Sequence, residues 1–484
     1  MLVSTEDTSL VTPTVRTIFV ISDLHLGGEP EPAHRGFRIC THEAELAGFI
    51  DSITGLEGPA IELVINGDVV DFLAERINDT APYWTAFHYP EQAAVDCLDR
   101  IANRSADVFS ALKGFLGKGH RLVILPGNHD IELNLPAVRR RLREHVGAAR
   151  GGDYEFIAHG EAYRVGDVLV EHGNRVDDMN FVDYQVLRRL CGLVSRGLAV
   201  REEFLFEPPA GSKLVVEVIN DIKKKYSFID LLKPEAEAAF PVILALEPGR
   251  RRELLKIASA LAEGRARRKQ QLRRYDSNIS ARDDASTSEA GGPARNELEE
   301  ILLRTVGRAD FAKPAAEGDT GEISVLDSGR SFASLLLGDR DETWEPRLHD
   351  LFDALRAFQS TNSFDRSVET EAVYLDEARN LAYGPVRHVA FGHTHLAKQV
   401  PLRDGGFYFN SGTWADILEL PRAILDPTRR FGPLAELEQL VRDLAANDFS
   451  RYVLFRPTYV YIEQDLAGHS TTHELRDYSK EQWT

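Results

Sequence analysis

The sequence predicts an α/β protein that is interrupted by a large, mostly helical insertion. Three apolar runs, at residues 17–22, 61–66 and 121–125, have the pattern of buried strands and alternate with segments of helical spacing. Strands that alternate with helices are typical of an α/β sheet. The alternation stops near Arg175, and a strand-like apolar run returns only at Val386. The chain is therefore expected to leave its sheet and return to it.

These changes of pattern divide the chain into four parts. They are a first part of the α/β core at residues 15–175, a helical insertion or lid at 176–384, a second part of the core at 385–465, and a C-terminal tail at 466–484. Within the insertion, residues 276–295 are small, polar and punctuated by Gly and Pro, which predicts a flexible tract.

Smaller elements complete the predicted core. Residues 91–116 have helical spacing, and residues 154–157 and 162–171 are expected to pair as antiparallel strands. Residues 406–410 and 458–462 are expected to supply two further strands after the insertion.

Composition limits the class of protein. Of the 484 residues, 43% are hydrophobic and 27% are charged, as in ordinary globular proteins. The net charge of −19 argues against indiscriminate binding to nucleic acid, although the basic stretch 250–274 leaves a peripheral membrane contact open.

Three widely spaced cysteines indicate free thiols in a reducing compartment. With no signal pattern and no apolar run of about 18 residues, we expect a cytoplasmic protein without a transmembrane segment.

Five polar fragments follow apolar runs in order along the chain. They are Asp23-Leu-His25, Gly67-Asp68-Val-Val-Asp71, Gly127-Asn128-His129-Asp130, Glu171-His172-Gly173 and Gly392-His393-Thr394-His395. Each fragment alone could be a turn, a helix cap or a solvated histidine. Together they combine carboxylates with neutral nitrogen and oxygen donors, which is the mixture that two adjacent divalent cations require. Because loops at the carboxyl ends of such strands bind ligands, we predict a dinuclear metal site there.

The ordered set D-x-H, G-D-x-x-D, G-N-H-D, H-G and G-H-x-H resembles the calcineurin-like metallophosphoesterase superfamily. The resemblance covers the loops of residues 17–175 and 385–415 and includes all of the family's elements. It implies a two-sheet αββα metallophosphoesterase sandwich that carries the helical insertion. It also implies two divalent metal ions as cofactors, manganese first, with iron and zinc as alternatives.

The resemblance also assigns roles to individual side chains. It implies that Asp23, His25 and His395 hold one metal and that Asn128, His172 and His393 hold the other. Asp68 is implied to bridge the two metals. His129 is implied to assist the leaving group and Asp71 to orient His129. A protonated imidazole can neutralise a departing alkoxide, and a carboxylate on its far nitrogen raises its pKa. Asp130 is expected to cap the following helix.

The implied reaction is hydrolysis of a phosphomonoester, phosphodiester or diphosphate bond of a small metabolite or nucleotide, by attack of a hydroxide that bridges the metals.

Local likeness around residues 22–27, 177–178 and 184–188 makes a hydrolase similar to UDP-2,3-diacylglucosamine diphosphatase an alternative. A metallonuclease, which would share the same loops, is another. A protein phosphatase and a binding protein with a silenced site are disfavoured, because the companion motif of the first is missing and every metal ligand is present. The substrate-binding residues, natural substrate and oligomeric state stay unknown from the sequence.

Overall fold

The fold is known from a computed structural model. It describes residues 16–29, 37–148, 153–224, 226–233, 359, 362–426 and 434–479. The predicted flexible tract at 276–295, the basic stretch at 250–274 and most of the predicted insertion lie outside the described residues. None of the helices within the described ranges is both long and apolar enough to cross a bilayer.

The described strands follow in chain order. They are β1 (Arg16–Ile21), β2 (Ile61–Asn66), β3 (Arg121–Leu125), β4 (Tyr154–Phe156), β5 (Tyr163–Val165), β6 (Val168–Val170), β7 (His388–Phe391), β8 (Lys398–Pro401), β9 (Phe407–Asn410), β10 (Ile417–Leu418), β11 (Val453–Leu454), β12 (Thr458–Gln464) and β13 (Ser470–Asp477). β13 falls within the predicted C-terminal tail and pairs with β12 as an edge strand.

The described helices are mostly short. They are α1 (Glu43–Thr54), α2 (Glu91–Arg104), α3 (Ala106–Gly117), α4 (Pro136–His145), α5 (Tyr184–Val194), α6 (Ala210–Leu214), α7 (Asn220–Lys223), α8 (Ala372–Leu381), α9 (Arg422–Leu425) and α10 (Leu434–Ala445). A π-helical segment, Val215–Ile219, joins α6 to α7. Single 3₁₀ turns lie at Phe72–Ala74, Ile131–Asn134, Asn174–Val176, Glu202–Phe204, Ile229–Leu231, Arg403–Gly405 and Ser450–Tyr452.

Two mixed sheets form the centre of the molecule. The first has the order β13-β12-β1-β2-β3-β4, in which β1 to β4 are parallel and β12 runs antiparallel to β1. The second has the order β5-β6-β7-β9-β8, in which β6, β7 and β9 are parallel. A separate two-stranded sheet joins β10 to β11. The predicted α/β class is therefore confirmed.

Alternation along the strands explains how the sheets are covered. Ile18 and Val20 of β1 share a buried core with Val168 and Val170 of β6, so the two sheets face each other. Phe19, between them in the sequence, packs on the opposite face with the helices α1 to α4. The outer face of the second sheet packs against α8 through a further apolar cluster. The layers are therefore helices, sheet, sheet and helix.

Two sequence predictions for the first half of the chain are wrong in detail. The helical segment 91–116 is divided into α2 and α3 at Ser105. Residues 154–157 and 162–171 do not pair: β4 joins β3 in the first sheet, whereas 162–171 folds into the β5–β6 hairpin of the second sheet. The reason is a tight turn at Gly166, whose φ of +57° suits glycine, and where a Cβ would lie 2.2 Å from the Gly468 carbonyl oxygen.

Candidate metal centre

The predicted ligand loops follow the carboxyl ends of parallel strands in both sheets. The fragments that contain Asp23, Asp68 and Asn128 follow β1, β2 and β3, and those that contain His172 and His393 follow β6 and β7. Backbone hydrogen bonds join the loops within each sheet. The His25 amide donates to the Asp68 carbonyl at 2.9 Å, and the Gly392 amide donates to that of His172, also at 2.9 Å. Strand pairing thus brings loops that are distant in sequence to one place.

Five of the predicted ligands have left-handed backbone conformations. Their φ angles are +54° at Asp23, +46° at His25, +49° at Asp68, +69° at His393 and +61° at His395. Such angles are uncommon for residues other than glycine and cost about 1–3 kcal/mol each, so the surrounding structure must impose them. Their concentration in these loops is typical of a functional site.

Two motif glycines allow the loops to approach each other. A Cβ on Gly67 would lie 2.2 Å from His172 Nδ1, and one on Gly127 would lie 2.1 Å from Asp68 Oδ1. Both contacts are far closer than real Cβ atoms make. The glycines of G-D-x-x-D and G-N-H-D are therefore required so that the aspartate and histidine side chains can pack against the neighbouring backbone.

One group of possible ligand atoms comes from Asp23, His25 and His395, all within 4.8 Å of one another. The Nε2 atoms of His25 and His395 are 3.0 Å apart, and His395 Nε2 is 3.3 Å from Asp23 Oδ1. Two nitrogens that bind one cation at right angles are about 3 Å apart, because each metal–nitrogen bond is about 2.1 Å. The group has the dimensions of a metal site.

A second group comes from Asp68, His172 and His393, again with ligand atoms within 4.8 Å. His172 Nε2 lies 3.2 Å from Asp68 Oδ2 and 3.3 Å from Asn128 Oδ1. Asp68 Oδ2 also lies 3.8 Å from His25 Nε2 of the first group. Asp68 therefore stands between the two groups, and all seven predicted ligands contribute to one cluster.

The charges in this cluster are strongly coupled. Burial favours the neutral form of Asp68, but the nearby His172, His129 and His25 imidazoles outweigh it and lower the Asp68 pKa. Burial would also lower the pKa of His172, yet the charges of Asp68 and Asp23 raise it to about 9. The pKa of Asp23 is raised, first by burial and then by repulsion from Asp68. These buried anions require positive charge beside them.

His395 differs from His172 in its electrostatic surroundings. Burial, followed by the positive charge of Lys233, lowers the pKa of His395 well below its usual value. A neutral imidazole is the form that can bind a metal ion. Its Nδ1 atom is buried and has no hydrogen-bond partner among the described residues.

His129 and Asp71 lie next to the two groups. His129 Nδ1 is 3.3 Å from Asp71 Oδ1, and the His129 amide donates to Asp68 Oδ1 at 2.8 Å. Asp71 also accepts hydrogen bonds from the Leu73 and Ala74 amides, at 3.0 and 3.2 Å. Burial opposes ionisation of Asp71, but His129 and His25 hold its pKa well below the usual range. The pair is thus an imidazole held by an ionised carboxylate.

Asp130 does not cap the helix that follows it, so that prediction is wrong. Its side chain accepts hydrogen bonds from the Gly127 amide at 2.6 Å and from the Val69 amide at 2.7 Å. It turns back because these buried amides need acceptors, and it thereby joins the second and third ligand loops. Burial and the charge of Asp68 raise the pKa of Asp130 to about 8.

Several groups that orient the histidines were not recognised as such from the sequence. Asp177 Oδ2 lies 2.9 Å from His393 Nε2, which leaves Nδ1 of that ring as the atom available to an ion. His172 Nδ1 lies 2.8 Å from the Asn66 carbonyl oxygen, which directs its Nε2 atom toward Asp68. Such partners fix the orientation of metal-binding histidines. Sequence spacing gave no signal for them, since the paired residues are far apart along the chain.

A search of known families and curated proteins found no family model that matches this chain and no curated protein that matches it. Buried aspartates, imidazoles and an amide oxygen, with ligand atoms 3–4 Å apart, fit divalent cations that accept mixed nitrogen and oxygen ligands. Buried groups of this centre could therefore hold metal ions.

Proposed function

We propose that this protein is a phosphoric ester hydrolase that uses two divalent metal ions and belongs to the calcineurin-like metallophosphoesterase superfamily. The observation that carries the proposal is the position of Asp68 between two His/Asp groups, at the edge where parallel strands of two facing sheets end. The layer order of helices, sheet, sheet and helix supports the family's αββα sandwich. Manganese is the first expectation for the metals, with iron and zinc as alternatives.

In this proposal the two groups hold one cation each and Asp68 serves both. Asp23, His25 and His395 surround one position, and Asn128, His172 and His393 the other. When bound, two divalent cations supply a nucleophile by lowering the pKa of water and neutralise charge on the phosphoryl oxygens. Most of the predicted ligand side chains are buried, so that these charges act in a medium of lower dielectric constant than water.

His129 acts as the proton donor to the leaving group. Because Nδ1 of His129 faces Asp71, its Nε2 atom is the one directed to substrate. The ionised Asp71 carboxylate stabilises the imidazolium form and fixes the ring orientation. His129 then delivers its proton to the departing oxygen, which would otherwise leave as an unstable alkoxide.

The proposal is tested by loading the purified chain with Mn²⁺, measuring bound metal by mass spectrometry, and assaying p-nitrophenyl phosphate and bis-p-nitrophenyl phosphate. We expect two equivalents of metal and hydrolysis of at least one ester. His469→Asn is the control for any substitution of a predicted histidine ligand, because the His469 side chain is largely exposed. A protein that binds no metal and hydrolyses neither ester would contradict the proposal.

A nucleotide diphosphate hydrolase is a second candidate for the specific reaction. The segment whose sequence is similar to UDP-2,3-diacylglucosamine diphosphatase includes Asp177, and Asp177 contacts the predicted ligand His393. Release of UMP from a UDP-sugar would favour this candidate. Digestion of single-stranded DNA would instead favour the metallonuclease.

A further inference from the structure

A small pocket opens beside His395. Phe364, Leu396, Ile417 and Leu454 contribute apolar wall, and two arginines, Arg366 and Arg456, also line it. Since His395 belongs both to this pocket and to the metal cluster, an occupant would lie directly next to the metal centre.

Two arginines lie in the pocket wall of a chain whose net charge is −19, and one of them is already paired. Arg366 is neutralised, because its two terminal nitrogens donate hydrogen bonds to the Asp477 carboxylate, at 2.5 and 2.9 Å. Arg456 is exposed and makes no ion pair of this kind within the described residues. Lys233 is buried, and its charge acts on His395 from the side of the helical insertion.

The ring of His395 supplies a second, independent feature. Its Nε2 atom faces the metal group, 3.0 Å from His25 Nε2. Its Nδ1 atom is buried and has no hydrogen-bond partner in the described part of the chain, and the whole residue is only 4% exposed. Metal-binding histidines normally donate their other N–H to a carboxylate, a carbonyl or water. An anionic acceptor in the pocket would meet that need.

We propose that this pocket binds a second anionic group of the substrate, a carboxylate or a phosphate, carried on the leaving group. The substrate class is thus a phosphoester with an additional anion separated from the scissile phosphoryl group by a short spacer. The inference rests on the proposed function for the position of the scissile group. Arg456 contacts the second anion by charge-assisted hydrogen bonds, and the apolar wall packs against the spacer.

The test uses pairs of esters in which a carboxylate replaces a hydroxymethyl group: 3-phosphoglycerate with glycerol 3-phosphate, and 6-phosphogluconate with glucitol 6-phosphate. Phosphate release gives KM, and calorimetry with the metal-loaded protein gives Kd independently of turnover. We expect the carboxylated member of at least one pair to bind at least tenfold tighter, roughly the strength of one charge-assisted hydrogen bond. Arg456→Gln should abolish that preference. Arg451→Gln, an exposed arginine on the same segment that pairs with Asp443, should retain it.

The two proposals fail in different ways. Equal KM and Kd values within both pairs, or a preference that survives Arg456→Gln, would overturn the pocket assignment even if every ester is hydrolysed. Preferential binding that depends on Arg456 without any phosphate release would support the pocket and count against the hydrolase.

Discussion

Two buried histidines near opposite ends of β7, His388 and His172, have pKa values that shift in opposite directions. His388 begins β7 and packs against His473, with ring centroids 4.4 Å apart. Burial, and then the charge of His473, lowers the pKa of His388 to about 4. Beyond the other end of β7, the candidate metal cluster contains His172, whose pKa is raised to about 9. Burial is shared, so another factor distinguishes them.

That factor is the carboxylate within contact distance. His172 lies 3.2 Å from Asp68, whereas His388 is surrounded by the rings of Phe407, Phe409 and His473. The nearest acidic influence on His388, Asp167, is held by hydrogen bonds from Ser470. The difference teaches that a buried histidine without a carboxylate in contact stays neutral. Carboxylates are needed to make a group of histidines a cation site.

Removing the carboxylate at the centre is expected to have the largest effect. Asp68→Asn should reduce phosphoesterase turnover on the order of 10³-fold or more, because both cations lose a charged partner and the phosphoryl charge is no longer neutralised. Bound metal should fall below two equivalents. Asp376→Asn, at a largely exposed carboxylate, should retain both properties. Full metal content in Asp68→Asn would contradict the shared position of this residue.

Replacing His129 should lower catalysis without removing either predicted metal equivalent. His129→Asn is expected to lower kcat about 10²–10⁴-fold for alkyl phosphates, whose leaving groups need a proton. The loss should be smaller for p-nitrophenyl esters, whose leaving group is stable as an anion. Asp71→Asn should show the same dependence on leaving group. An equal loss for both types of ester would show that His129 does not act as the acid.

Asp177 lies outside the set of predicted ligands. Replacing it tests whether a carboxylate that orients a histidine also strengthens metal binding. Asp177→Asn should weaken binding of one metal equivalent about 10–100-fold, because His393 loses the partner that orients it. Titration of the metal-free protein with Mn²⁺ measures this directly. The adjacent Asp178→Asn is the matched control. Unchanged affinities for both equivalents would exclude an orienting role for Asp177.

The smallest effect concerns His388 and the stability of the fold. Its folded-state pKa of about 4 lies below the unfolded value, so its contribution is complete above about pH 6.5 and is lost as pH falls toward 4. Lowering the pH from 7 to 5 should therefore cost about 2 kcal/mol of unfolding free energy through this group. Urea unfolding of the metal-free protein should show this loss, and His388→Leu should show less of it. An identical pH dependence in both proteins would refute the assignment.

The sequence by itself determined the first three strands of the core, β1, β2 and β3, and the loops that follow them. β2 and β3 have the predicted bounds because apolar runs and their boundaries are local properties of the chain. The predicted ligands could be selected for the same reason, since carboxylates and histidines at fixed spacing follow those runs. His172 was selected and His388 was not, because His172 follows its apolar run in the fragment Glu171-His172-Gly173 whereas His388 lies within the run of residues 386–391.

Only the tertiary structure decided which groups meet. It placed β5 and β6 in the second sheet, turned Asp130 toward two loop amides, and brought Asp177 to His393, which is 216 positions away. It also brought Arg456 and His395 into one pocket. Such contacts depend on how sheets and loops pack across long sequence separations. Local periodicity carries no information about that packing, and so the electrostatic character of each histidine emerges only in the folded chain.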